Sequence, residues 1–545
     1  MCMRKIYSLF WKRAPYDFVE KITIYILMLV QLFLVFLSQT CVIVDTDGIF
    51  SYTLANNPYH YTFIDAVYDE FPNNNGWIDA HILRENYIVE EYDRFNYSAV
   101  YYHQRYDVHP PLYYFLVHTF SSLFVGTYSN LYTMAVNLIA LLFIDILMIK
   151  LFRMLYGKAG YVMIPFACLI LMYAMQFLYV WPRMYMLLAL FCIWYLYIHA
   201  CLIKMENWKK TYLIQMISCI FLGTLTHYYF YVFAALLSLL SMVFFIRNRS
   251  RYKIFNYIYS GIIGLALSWI FYPWVMWHIF ANPQSKHTDI APWTLDKIKQ
   301  YFIFLNDQLF NGRIWLAGLI LMILWLWILV SGKKKTEVVD MDRRKFRRIT
   351  LGSGILYSLI IYTLDQGGAL SYYSTPCYVA FIIWFSMALP DLVQRIKVIW
   401  KKDVLIITVT TVCVVILYSI SALGTYVVNA EYVIGRVVNH ESLREGFYKV
   451  SEDYKQYDCI YIEERKDGLL HSYWFELGEY DEFKKISKED FMQYGINEET
   501  LIGRTSLGGG VIIYAPRDCI FDESRYKLLA SDSSYNIFEF IRGED

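Results

Sequence analysis

The apolar positions of this chain neither alternate nor mark one face of a helix; they come in long unbroken runs. Ile22 to Val44 carries no charged side chain, and a helix rising about 1.5 Å per residue covers roughly 30 Å of hydrocarbon with a segment of that length. Comparable runs recur at 131–149, 161–181, 184–203, 211–226, 228–246, 254–276, 314–331, 349–364, 373–390 and 404–428. Each predicts a membrane-spanning helix, about eleven in all. Pro111 to Gly126 is a shorter apolar run interrupted by His118, and it reads as a helix lying at, or dipping into, one face of the bilayer. Three polar stretches remain: 45–130, 277–313 and 429–545. The last is different in kind, because "YDCIYIEE" and "GGGVIIYAP" alternate as strands do and "ISKEDFMQYG" has a helical pattern. It predicts a separate small α/β domain of about a hundred residues.

Charge orients these elements. Basic residues concentrate in alternate gaps: Lys150, Arg153 and Lys158; Lys204, Lys209 and Lys210; Arg247, Arg249, Arg251 and Lys253; the block from Lys333 to Arg348; and Arg395, Lys397, Lys401 and Lys402. Positive residues stay in the cytoplasm. Residues 1–21, with Arg4, Lys5, Lys12, Arg13 and Lys21, are therefore expected inside. The loops 45–130 and 277–313 and the domain 429–545 are expected outside. Counting Pro111 to Gly126 as a span would put every later basic cluster on the wrong side. No small-residue cleavage site follows the first run, so it reads as an uncleaved anchor. Composition agrees: 57% of the 545 residues are hydrophobic and 18% are charged, against about 25% charged in a water-soluble chain. The chain reads as a multi-pass protein of a cell membrane, with the lipid bilayer as a partner, and nothing in its charge suggests nucleic acid. Most of the ten cysteines lie in or beside apolar runs, where a thiol is a small buried hydrophobe. Cys459 and Cys519 share the outer domain, with free thiols favoured there over a disulfide.

Chemistry is expected outside. The first loop runs for about 85 residues, a length that usually carries a site, and it opens with Asp45 and Asp47 at the exit of the first span. By themselves two acids there would simply end a helix in water. The loop closes with "DVHPPLYYFLVH". Pro110 and Pro111 stop an incoming helix and suit the first turn of the next, so Asp107 and His109 are held at a helix N-terminus whose dipole favours an anion. Asp145 lies within a span, and its place near Lys150 reads as a structural pair.

An acidic motif just beyond the first span, then "FSYTLAN", "DVHPPLYY", "RMYMLLAL" and "THYYFYV", together resemble the polytopic glycosyltransferases of the GT-C class. Within that class they are most similar to bacterial members of family 39, related to the protein O-mannosyltransferases and more remotely to the aminoarabinose transferases. The resemblance runs from Lys21 to Pro390 and leaves the tail outside. It implies a GT-C transmembrane domain over 22–428, and transfer of a sugar from a polyprenyl-phosphate donor to a glycan, protein or lipid acceptor at the outer membrane face. It also implies an Asp of the first loop as general base, a role typically contributing about 10² to 10⁴ in rate. Aligning the family's Ser-Tyr with Ser51 and Tyr52 places Asp47 on that Asp. Gly48 stands where Glu is usual, which leaves Asp45 as the candidate substitute. Arg183 in "VWPRMY" becomes the ligand of the donor phosphate, gripping its oxygens in a bidentate manner, although Trp181 and Pro182 replace the usual Glu-Ala. Asp107, His109, His227 and Tyr228 join the binding site by the same motifs. Tyr373 matches the Tyr of a family Arg-Tyr-x-x-Pro, with Tyr372 in place of the Arg. Lys286 or Arg313 of the second outer loop would then supply the missing cation.

No cofactor is implied. Asp45 and Asp47, with Asp107, His103 and His109, offer donors that a divalent metal accepts, but family-39 relatives are considered metal-independent and an Arg can serve the phosphate. A transporter or flippase of a lipid-linked sugar is the other class open to such a chain. That class usually shows several ionisable residues at mid-membrane depth or an internal repeat of spans, and neither is clear here.

Overall fold

The structure, a computed structural model, describes residues 18–40, 46–58, 76–204, 209–247, 251–281, 293–331, 341–364, 371–396, 399, 402–419, 445–464, 473–496, 501–502, 510–532 and 534–541. The chain opens with α1 (Phe18–Thr40). The first loop folds into α2 (Thr46–Asn56), a short strand β1 (Ile78–Asp79), α3 (His81–Glu85), α4 (Tyr97–Tyr106) and α5 (Leu112–Leu123). The bundle continues through α6 (Leu131–Tyr156), α7 (Met163–Leu171), α8 (Tyr173–Val180), α9 (Tyr185–Lys204), α10 (Lys210–Thr224), α11 (Tyr229–Arg247) and α12 (Arg251–Phe271). After α13 (Val275–Phe280) and α14 (Leu295–Phe310) come α15 (Ile314–Ser331), α16 (Met341–Leu364), α17 (Thr375–Val393) and α18 (Asp403–Ser419).

Helix stands in every apolar run picked out by the sequence. Among the described residues, six segments, in α6, α9, α11, α12, α15 and α17, are long and apolar enough to cross a membrane, and shorter apolar helices occupy the runs at 22–44, 161–181 and 404–428. The helix α5 has 12 residues, about 18 Å, too little for a hydrocarbon core of roughly 30 Å. The helices α10 and α12 meet closely because Gly264 has no side chain: a Cβ there would lie 2.8 Å from the Cβ of Ile220.

Two features were hidden from a reading by hydropathy. The run 161–181 is broken at Met172, between α7 and α8, and Asn311 seals the break. Its Oδ1 accepts the Tyr173 N–H at 2.9 Å, and its Nδ2 donates to the Leu171 carbonyl at 3.2 Å. A broken helix is tolerated at membrane depth where a neighbour re-satisfies its backbone in this way. Asn311 itself is left-handed, with φ 51°, a conformation Asn adopts more readily than most residues. It ends α14, a helix inside the stretch read as the second outer loop. That helix lies along its neighbours: Tyr301 Oη is 2.6 Å from Ser358 Oγ on α16, Tyr378 Oη on α17 donates to Gln308 Oε1 at 3.2 Å, and Tyr418 Oη on α18 donates to the Leu309 carbonyl at 2.7 Å. Asp296, Lys297, Lys299 and Asp307 interrupt its apolar pattern, which is why it reads as loop.

The tail is the expected α/β domain. It comprises α19 (Glu445–Asp453), β2 (Asp458–Glu463), α20 (Trp474–Leu477), β3 (Glu482–Ser487), α21 (Lys488–Tyr494), β4 (Val511–Pro516), β5 (Tyr526–Ser531) and β6 (Tyr535–Phe540). The strand order is β1-β3-β2-β4-β6-β5, with β2 parallel to β3 and β4 and the other pairs antiparallel. The strand β1 comes from the first loop, placing Ile78 opposite Phe483 and Asp79 opposite Glu482. Alternation along the strands gives the sheet two apolar faces. One, with Cys459, Tyr461 and Tyr514, packs with Ile49 of α2 and Ala80 and Leu83 of the loop. The other holds Ile460, Ile513 and Cys519. Cys459 and Cys519 are thus on opposite faces and free. Arg84 and Glu479 add an ion pair at 3.8 Å across the same contact.

Candidate active site

Motifs far apart in the chain meet at one end of the bundle. The N–H of Leu112, at the start of α5, donates to the Leu225 carbonyl at 2.9 Å, which ties "DVHPP" to the turn that carries "THYY". Arg183 lies in the non-helical link between α8 and α9, where Pro182 supplies no N–H. Asn137 of α6 holds that link, its Nδ2 donating to the carbonyls of Trp181 at 3.0 Å and Tyr179 at 3.3 Å. Ring centroids then close the circuit. His109 is 6.2 Å from His227, and His227 is 5.4 Å from Tyr185 and 6.0 Å from Tyr373. Tyr185 is 4.6 Å from Tyr372, which is 4.2 Å from Trp181. His109, Arg183, His227 and Tyr373 each stand just before the start of a helix, respectively α5, α9, α11 and α17. Four helix N-termini therefore converge here, and each brings the positive end of a dipole.

The electrostatics are specific. His109 Nδ1 lies 2.7 Å from Asp107 Oδ2, and the backbone N–H of His109 donates to the same oxygen at 3.2 Å. Burial pushes the Asp107 carboxyl up, but the charge and hydrogen bond of His109, the Val108 backbone N–H and Arg183 outweigh it and hold the group below the usual carboxylate range. Asp107 is therefore the acceptor, His109 Nδ1 carries the proton, and Nε2 is the ring's remaining polar atom. His227 is buried, and burial, with His109 and Arg183 nearby, holds its imidazole well below the ordinary value. Its Nδ1 accepts the Tyr229 N–H at 3.1 Å, so the proton of the neutral ring sits on Nε2. Arg183 is 8% exposed, a buried cation within electrostatic reach of Asp107, His227 and Tyr113.

Of the residues singled out by sequence, Asp107, His109, Arg183, His227 and Tyr373 share this cluster. Tyr228 instead supports it: its hydroxyl lies 2.5 Å from His278 Nδ1, and His278 Nε2 donates to the Arg105 carbonyl at 2.9 Å. Asp47 is the second residue of α2, a helix locked in place by Tyr52 Oη donating to the Ser129 carbonyl at 2.8 Å and by Asn56 Nδ2 donating to the Tyr87 carbonyl at 2.9 Å. The Asp47 side chain, all of Asp45 and Lys286 lie outside the described residues. Arg313 lies in the turn between α14 and α15, and the cation acting on Asp107 and His227 is Arg183. His103 is buried with Nε2 3.0 Å from the Asn57 carbonyl, and among the described residues no group of His, Cys, Asp and Glu is placed to hold a metal. Asp145 is fully buried, beside Gln31 of α1, whereas Lys150 is exposed. Sequence reasoning missed the aromatic wall of Trp181, Tyr185 and Tyr372, and also Tyr113, which lies within reach of both Tyr52 on α2 and Arg183. The signal was the aromatic residue that flanks every motif.

These elements build the fold of the GT-C class of polytopic membrane proteins. The chain is similar to the crystal structure of ArnT, an aminoarabinose transferase, from Cupriavidus metallidurans bound to undecaprenyl phosphate, with a TM-score of 0.52 at 11% identity, covering 96% of this chain and 99% of that one. The same protein in its apo state gives 0.47 at 13% identity, covering 81% and 89%. No protein-family model matches the chain, and no curated protein does. Coverage of 96% leaves too little outside to exclude the tail, so the likeness of fold does not stop near Pro390 as the motifs had implied. A sheet domain needs only alternating apolar strands to keep its fold, and it carries no motif to read.

Proposed function

We propose that this chain is a membrane glycosyltransferase that moves a sugar from a polyprenyl-phosphate donor to an acceptor at the outer face of the membrane. The observation that carries the reading is the convergence of four helix N-termini on Arg183 and His227, a buried anion site with aromatic walls. A lipid-linked sugar phosphate suits each component. Arg183 grips the phosphate oxygens, the Nε2–H of His227 donates one more bond without adding charge, and Tyr185, Tyr372 and Tyr373 offer ring faces to the sugar. ArnT, whose fold this chain shares, binds undecaprenyl phosphate, which supports a carrier of that chemistry.

As the sugar leaves, charge develops on the bridging phosphate oxygen. That group is already a good anion, so Arg183 and the helix ends have to stabilise it rather than protonate it. Asp107 is poorly suited to take the acceptor's proton, because His109 and Arg183 hold it ionised and weakly basic. The general base then falls to Asp47, at the start of α2, a helix whose Tyr52 lies near Tyr113, itself near Arg183. The C-terminal domain contacts this same loop through β1 and Ile49, so it is positioned to steady the acceptor side.

The test uses purified protein, labelled undecaprenyl-phosphate sugars and candidate glycan, peptide and lipid acceptors. Wild type is expected to transfer label, and Asp47→Asn to lose about 10² to 10⁴ in rate. Transfer at the normal rate by a folded Asp47→Asn protein would remove the assigned base. Movement of a lipid-linked sugar across proteoliposomes without turnover would replace the enzyme by a flippase.

A further inference from the structure

The helix α17 starts at the candidate active site and runs for 19 residues, about 28 Å, to the opposite end of the bundle. There Asp391 is clamped by two arginines of α16: Arg343 Nη2 is 3.1 Å from Oδ1, and Arg347 Nη1 donates to Oδ2. Arg344 and Arg395 also lie within electrostatic reach of that carboxylate. Four guanidinium groups therefore lie near one acid, an excess of positive charge at this end of the bundle.

Directly beside this cluster, between α15, α17 and α18, is a cavity of about 580 Å³, inside the roughly 300–1,000 Å³ range of small-molecule sites. Its walls are apolar, with Ile314 and Leu321 on α15 and Trp384 and Phe385 on α17, and Arg347, Asp391 and Arg395 lie at one end. The wall helix α15 is the most outward-facing of the long apolar helices, with 11% of its span buried. An acyl chain can therefore enter from the bilayer.

We propose that this groove is a binding site for an anionic phospholipid of the leaflet opposite the active site, with an acyl chain in the cavity and the phosphate at Arg395 and Arg347. The chemistry selects that occupant. A free phosphate would meet the charge but leave the apolar walls unfilled, and a lipid without net charge would leave the surplus arginine unpaired. Basic pockets between membrane helices recognise acidic head groups in this manner. The site is independent of the reaction assigned to the other end of α17.

Native mass spectrometry of the full chain, titrated with phosphatidylglycerol or with phosphatidylcholine of the same acyl chains, tests it. Phosphatidylglycerol is expected to bind about fivefold more tightly or better. Arg395→Gln, at an exposed position, is expected to abolish that preference. Gly318→Phe fills the cavity from a position where a Cβ meets nothing within 4 Å, and is expected to lower retention of both lipids. Both variants leave the Asp391 clamp intact, and size-exclusion profiles check their folding. Equal affinity for the two lipids in the wild type would overturn the proposal, as would variants that bind phosphatidylglycerol normally. Displacement of phosphatidylglycerol by equimolar undecaprenyl phosphate would overturn the assignment to phospholipid.

Discussion

Replacing Asn137 with leucine keeps most of the volume and deletes the amide that holds the Arg183 link. The residue is 1% exposed, and its Nδ2 serves the carbonyls of Trp181 at 3.0 Å and Tyr179 at 3.3 Å. The Trp181 carbonyl keeps the Arg183 N–H at 2.8 Å, so the substitution removes hydrogen bonds worth about 0.5–1.5 kcal/mol each. The 3.3 Å bond is beyond the usual range and counts at the low end, so a rigid link would lose about 1–2 kcal/mol. The link has one way to avoid this cost: it can draw away from α6 and take Arg183 with it. Stability is then partly recovered, while the bidentate contact to a phosphate is lost, worth about 1.5–3 kcal/mol or roughly ten- to 150-fold in affinity. Thermal unfolding in detergent and undecaprenyl phosphate binding by native mass spectrometry read the two outcomes separately, and at least one must move. A variant with wild-type melting and wild-type affinity would refute the role given to Asn137 and the geometry given to Arg183.

Arg183→Gln is expected to weaken undecaprenyl phosphate binding by about 10²-fold, measured by the same titration, with the protein still folded. His227 makes stability depend on pH: its folded value is depressed, so below about 6.5 the unfolded chain binds a proton that the folded chain refuses. Stability should therefore fall as pH drops below that value, by up to about 1.4 kcal/mol per unit, and His227→Asn should flatten this slope in denaturation series. Removing residues 430–545 strips β1 of its partner and exposes Ile49, Ala80 and Leu83; limited proteolysis should cut the first loop faster than in the intact chain. At Gly223 a Cβ would lie 2.6 Å from the buried Phe230 ring, so Gly223→Ala is expected to cost about 1–3 kcal/mol, seen as a lower melting temperature.

The sequence by itself determined where the long apolar helices form, because bilayer thickness sets a length and hydrocarbon excludes charge, and both leave their mark in consecutive residues. It determined the α/β tail as well, since alternation in "YDCIYIEE" and "GGGVIIYAP" is local to a strand. Asp107, His109, Arg183, His227 and Tyr373 were legible as members of ordered motifs, and the structure does bring them together. Other features escaped because each depends on a partner distant in the chain. The helix α14 looks like loop until α16, α17 and α18 lie beside it, and Asn311 means nothing without the break it seals. The strand β1 exists only because β3 supplies its hydrogen bonds. Tyr228 and His227 are adjacent, yet one turns to His278 and the other to His109. The proposed anion site is likewise a matter of tertiary structure, since a single helix end is a weak attractor and four can form a site only when packing brings them to the same buried space.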